Sequence, residues 1–94
     1  MLMSIEKMLE VCEEDTHRFI GYGAAVRMRD WRTCGSDKER VKFIQTAIRK
    51  DNNSEIGFAV HLNGGTSLES IVLSYPELFT DEDYVIASSH IGEY

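Results

Sequence analysis

Apolar residues recur along this chain at helical spacing in four places and at alternate positions in two. After Ser4, a residue suited to capping a helix, Ile5, Met8, Leu9 and Cys12 fall at i, i+3, i+4 and i+7, with Glu6, Glu10 and Glu13 opposite. Acids at positions 13–15 oppose the dipole at a helix C-terminus, so this first helix is expected to stop near there. Ser36 or Asp37 starts a second helix that runs to about Lys50. Its stripe is Val41, Ile44 and Ile48, flanked by Phe43 and Ala47, and Arg49-Lys50 suit its end. Thr66 or Ser67 starts another, with Leu68, Ile71, Val72 and Tyr75 inward and Pro76 as its stop. Thr80-Asp81-Glu82-Asp83 has the form of a capping box, followed by Tyr84, Ala87, Ser88 and Ile91 on one face.

Two stretches carry the other period. Ile20, Tyr22, Ala24, Val26 and Met28 alternate with smaller or polar residues, as a strand would, while Ala24-Ala25 and Met28 favour helix. Ile56, Phe58, Val60 and Leu62 also alternate, yet Asn63-Gly64-Gly65 is a preferred helix stop. Thr33–Ser36 and Asp51–Ser54 read as loops. The expected fold is mainly α, five to six short helices with a helix-turn-helix-like C-terminal half. The alternative is α+β, with short strands near 19–28 and 55–62.

Ninety-four residues suffice for one domain, 1–94, with one modest core. At 43% hydrophobic and 28% charged residues the composition is that of a folded protein. No apolar run approaches the roughly 18–20 residues that span a bilayer, and the start, with Glu6 and Lys7, lacks a signal layout. A cytoplasmic protein without membrane contact is expected. Cys12 and Cys34 form neither a disulfide framework nor a CxxC pair, so two reduced thiols are expected and no structural zinc.

The net charge of −6 is unevenly spread. Residues 1–16 carry one lysine against five acids, residues 17–50 nine basic residues against three acids, and residues 51–94 eight acids with no lysine or arginine. Either these segments neutralise one another within the fold, or they form opposed faces for docking to a partner or a second copy. The acidic total disfavours nucleic acid.

Residues 56–91 have the outline of a helix-turn-helix unit: a short helix with Ala59 and Leu62, a turn at Gly64-Gly65, a helix from Thr66 and a third from Thr80. Within it, residues 67–78 (SLESIVLSYPEL) and Thr80–Asp83 resemble the C-terminal part of a helix-turn-helix family of predicted antitoxins. In that family an apolar helix ends at a Tyr-Pro-Glu-Leu-like corner before an acidic helix start. The resemblance covers about a third of the chain and implies regulation by binding. DNA readout needs basic or amide side chains on the recognition helix. Here that helix offers Ser67, Glu69, Ser70 and Ser74, so protein contact is the expected use.

The remaining cluster is Arg27, Arg29, Trp31 and Arg32, where guanidinium groups and an indole suit an acidic partner surface or a nucleotide or other phosphate. Catalysis lacks support. His17, His61 and His90 share no metal-ligand spacing, Cys34 has no adjacent histidine, and no phosphate loop is present. The expectation is a small non-enzymatic regulatory or inhibitory protein, antitoxin-like or an antagonist of the kind carried by phages and mobile elements. It would need no cofactor, bind a protein target and be capable of self-association. The partner-binding residues expected are Arg27, Arg29, Trp31 and Arg32 with Glu77, Asp81, Glu82 and Asp83. The alternatives are a nucleotide- or phosphate-binding module and a helix-turn-helix DNA-binding regulator.

Overall fold

The computed structural model of the chain describes residues 3–50 and 53–92. Helix α1 spans Ile5–Phe19, α2 Tyr22–Arg27, α3 Asp37–Ile48, α4 Asn53–Leu62, α5 Leu68–Ser74 and α6 Asp81–Ile91, with a 3₁₀ helix at Arg29–Thr33. No strand occurs among the described residues, so the mainly α expectation holds and the α+β alternative does not.

The two alternating stretches are α2 and α4. In a strand Tyr22, Ala24 and Val26 would share a face. Here the adjacent Ala24 and Ala25 are both buried, while Tyr22 and Val26 lie in the solvent. In α4 the buried pair is Gly57 and Val60, one turn apart, with Phe58 and Leu62 outside. The alternation was a helix whose outer face carries apolar residues.

Caps define the helix starts. Ser4, Ser36, Ser67 and Thr80 each accept the N–H of the residue three positions on. At Ser67 and Thr80 the N3 side chain answers the cap, giving two full capping boxes. Asp51 and Asn52, part of the expected cap of α4, lie outside the described residues. Gly21, with φ +139°, makes the turn from α1 to α2. Gly64, with φ +78°, closes α4, and the Gly65 N–H donates to the Val60 carbonyl at 2.9 Å.

Helix α1 runs past its expected end because its acids serve tertiary bonds. Glu13 is buried against the 3₁₀ helix, and Asp15 accepts the Thr66 N–H at 2.8 Å. Arg18 supplies the positive charge that the dipole favours at this end. Around α1, Leu9 and Cys12 join Trp31, Ile44, Ile48, Ile71, Val72, Tyr75, Phe79 and Ala87 in one core. On α6 the buried face is Asp83, Ala87, Ser88 and Ile91. Tyr84 was expected inside but is exposed, and the capping carboxylate of Asp83 occupies the inner position instead.

Candidate functional site

The basic–aromatic cluster is brought together, and much of it turns inward. Trp31 is buried, and its indole N–H donates to Glu13 Oε1 at 2.9 Å. Arg29 Nε reaches Glu13 Oε2 at 3.2 Å, and Arg32 holds the same carboxylate through Nε and Nη2. Arg29 also lies over the Tyr22 ring, 5.4 Å from its centroid. One buried carboxylate thereby ties the 3₁₀ helix to α1. A closed tryptophan face has no room for a stacked base, and two of the three guanidinium groups are already bonded. Arg27 is exposed and faces a pocket.

The acidic set separates in the same way. Asp83 is buried and receives the Thr80 N–H, Gln45 Nε2 at 2.7 Å and Arg49 Nη2 at 2.7 Å. Burial pushes its carboxyl up. The hydrogen bonds from Thr80, Gln45 and Arg49 outweigh burial and hold the group below the ordinary range. Glu82 is exposed, 3.5 Å from Arg49. Glu77 and Asp81 are exposed. The segments of opposite charge meet inside the molecule: Glu6 with Arg40, Glu13 with Arg29 and Arg32, and Asp83 with Arg49.

The pocket beside Arg27 has a volume of about 650 Å³. Its floor is α1, at Cys12 and Thr16. Its walls are Ala24 of α2 and Met28 just after it, Phe43 and Ala47 of α3, and Ile56 and Val60 of α4. At its end Ser67 and Glu69 come in from the start of α5, both almost fully buried. Arg27, Lys42 and Lys50 stand at the mouth, with Asp30 and Glu39. Glu39 Oε2 accepts the Gly35 N–H at 3.3 Å.

Glu69 is the most constrained polar group in this region. Its Oε2 is 2.8 Å from His90 Nδ1 of α6. Burial pushes its carboxyl up, while His90 and the backbone draw it back. A Cβ at position 57 would collide with this carboxylate, so the glycine in mid-α4 is what admits it. Cys12 beside it is a thiol held far from ionisation, pushed up to about 12 mainly by burial. Among the described residues no group of three or more His, Cys, Asp or Glu could hold a metal ion.

Sequence patterns placed Ser67 and Glu69 on an outward recognition surface. The structure buries both, because the turn at Gly64-Gly65 sets α5 with Ile71, Val72 and Glu69 into the interior together. The signal for Glu69 was Gly57: glycine inside a helix costs about 1 kcal/mol relative to alanine and marks a close approach. Lys42 and Thr46 on α3, and Lys50 just beyond it, carried no signal beyond their spacing of four.

Comparison with known protein families, curated proteins and solved structures finds no match to this chain. The likeness to helix-turn-helix antitoxins therefore rests on residues 67–83 alone.

Proposed function

We propose that this is a non-enzymatic binding protein whose working part is the pocket between α1, α2, α3, α4 and α5. The observation that carries the reading is the pocket itself: about 650 Å³ in a chain of 94 residues, apolar along its walls, with a few polar groups at one end. Ligand sites of folded proteins have this size and lining. The titratable groups nearby argue for holding over reacting. The Cys12 thiol is kept protonated, and Glu69 is engaged by His90.

A neutral fluorescent dye, Nile red, tests the reading. Its emission should rise and shift to the blue with wild-type protein. It should stay near the buffer value with Thr46→Trp, a bulky side chain at an exposed lining position that leaves the core intact. Equal signals from the two proteins would remove the pocket from the account.

A second reading, a small regulatory or inhibitory protein that docks on a protein target, is favoured by one feature. Tyr84 and Val85 are exposed apolar residues on α6, after Asp81 and Glu82 of its first turn, and Leu78 is exposed beside Glu77 in the corner before it. Val85→Asp with Tyr84→Ser should abolish capture of a specific partner while leaving the circular dichroism spectrum unchanged. DNA binding through α5 has no such support: of its residues only Ser74 is exposed, which leaves no helix face to enter a groove.

A further inference from the structure

We infer that the pocket takes an amphipathic organic anion: an apolar body ending in a carboxylate or phosphate, its head group at the mouth against Arg27, Lys42 and Lys50. The inference rests on the pocket-binding reading and adds the chemistry of the occupant.

Charge pairing across the molecule carries it. The protein has 16 acids and 10 basic residues, so acids to pair with are in surplus. Lys7, Arg18, Arg29, Arg32, Arg40 and Arg49 all sit in ion pairs. Arg27, Lys38, Lys42 and Lys50 have no ion-pair partner among the described residues. Three of these four stand at one pocket. Cations left uncompensated in an acid-rich chain, and gathered at one opening, make a local positive potential that a bound anion would neutralise.

Their placement also gives the ligand a direction. Lys42 and Thr46, at i and i+4, lie along the edge of α3 beside Phe43 and Ala47, which line the pocket, and Lys50 follows just beyond the helix end. Arg27 stands on α2, and Met28 carries the apolar wall on from it. Two carboxylates, Asp30 and Glu39, stand at the mouth against the three cations, and Glu39 is turned to the Gly35 N–H, so the opening keeps a net positive charge. Deep in the pocket the sign reverses. Glu69 and the un-ionised Cys12 offer an anion nothing, so the charged end belongs at the opening and the apolar body between Phe43, Ile56 and Leu68. A nucleotide, polar along its length, fits these walls poorly.

Calorimetric titration with decanoate, decyl phosphate and decanol tests this, using wild-type protein and Arg27→Ala/Lys42→Ala/Lys50→Ala. These are exposed side chains whose loss leaves the core untouched. Decanoate or decyl phosphate should bind at least about tenfold more tightly than decanol, and the triple variant should lose about tenfold for the anion alone. The better of the two anions identifies the head group. Decanol binding as well as both anions, or a triple variant that keeps the preference, overturns the inference and leaves the pocket reading standing. Silence from all three ligands while Nile red still binds has the same meaning. Silence from all three together with no Nile red signal sinks the pocket reading itself.

Discussion

Glu13 and Glu69 are two buried carboxylates with different partners, and they should respond differently to mutation. Glu13 accepts from an indole and two guanidinium groups, so its loss strands the buried Trp31 N–H. Glu13→Ala should cost about 1–3 kcal/mol in urea unfolding, and Glu13→Gln, which keeps an acceptor, visibly less. Glu69 has one histidine and a strong burial penalty, with His61 and Cys12 the other titratable groups near it. Its folded carboxyl binds a proton more tightly than the unfolded one, so the folded state is favoured in acid. That advantage is lost as pH rises from the ordinary value of 4.5 through the folded one. Glu69→Gln should flatten the fall, measured by unfolding at a series of pH values. Asp83 has the opposite sign. Its folded carboxyl is lowered, so its contribution is present above the ordinary 3.8 and disappears as pH falls below that. Asp83→Asn should remove this acid limb. Tyr75 is a third kind of case. Its hydroxyl is buried with no hydrogen-bond partner among the described residues. Tyr75→Phe should therefore hold or raise stability, by up to about 1 kcal/mol.

At the scale of elements, the hydrophobic pattern was enough wherever a helix has one wet face. Helix α3 and the start of α1 followed their stripes, and four caps fell on Ser4, Ser36, Ser67 and Thr80 as their side chains require. The pattern misled where polar residues go inside. Glu13 and Asp15 read as a helix end and Glu69 as an outer face, because no local rule says that an acid will meet a partner distant in sequence. It was ambiguous for α2 and α4, whose exposed Tyr22, Val26, Phe58 and Leu62 blur the two periods. The candidate site was the least legible part, since its wall residues come from five helices and its cations look like any solvated edge. The α6 capping box offers a direct check on the element. Thr80→Ala should cost about 1 kcal/mol of stability and loosen the α5–α6 corner, read by amide exchange in residues 81–84.

For the whole molecule, the segmental charge is largely spent internally: basic arms from the middle of the sequence reach acids at both ends. This weakens the electrostatic drive for copies to associate head to tail. Among the described residues no helix is long and apolar enough to cross a membrane. The Cα radius of gyration is 11.9 Å, close to that of a compact single chain of this length. X-ray scattering from dilute solution should give a monomer of about 12–13 Å. A substantially larger radius would mean that the exposed α6 patch binds a second copy more strongly than the internal pairing suggests.

The clamp on Trp31 gives this protein a built-in gauge. Trp31 is the sole tryptophan, pinned to α1 through its ring nitrogen, and its neighbours Met28, Asp30 and Cys34 border the cavity. Anything that enters there and shifts the 3₁₀ strap must also disturb that indole. Occupancy can thus be followed from the ultraviolet emission of the unlabelled chain, and Glu13→Ala, which removes the acceptor, should uncouple the colour of that light from the guest.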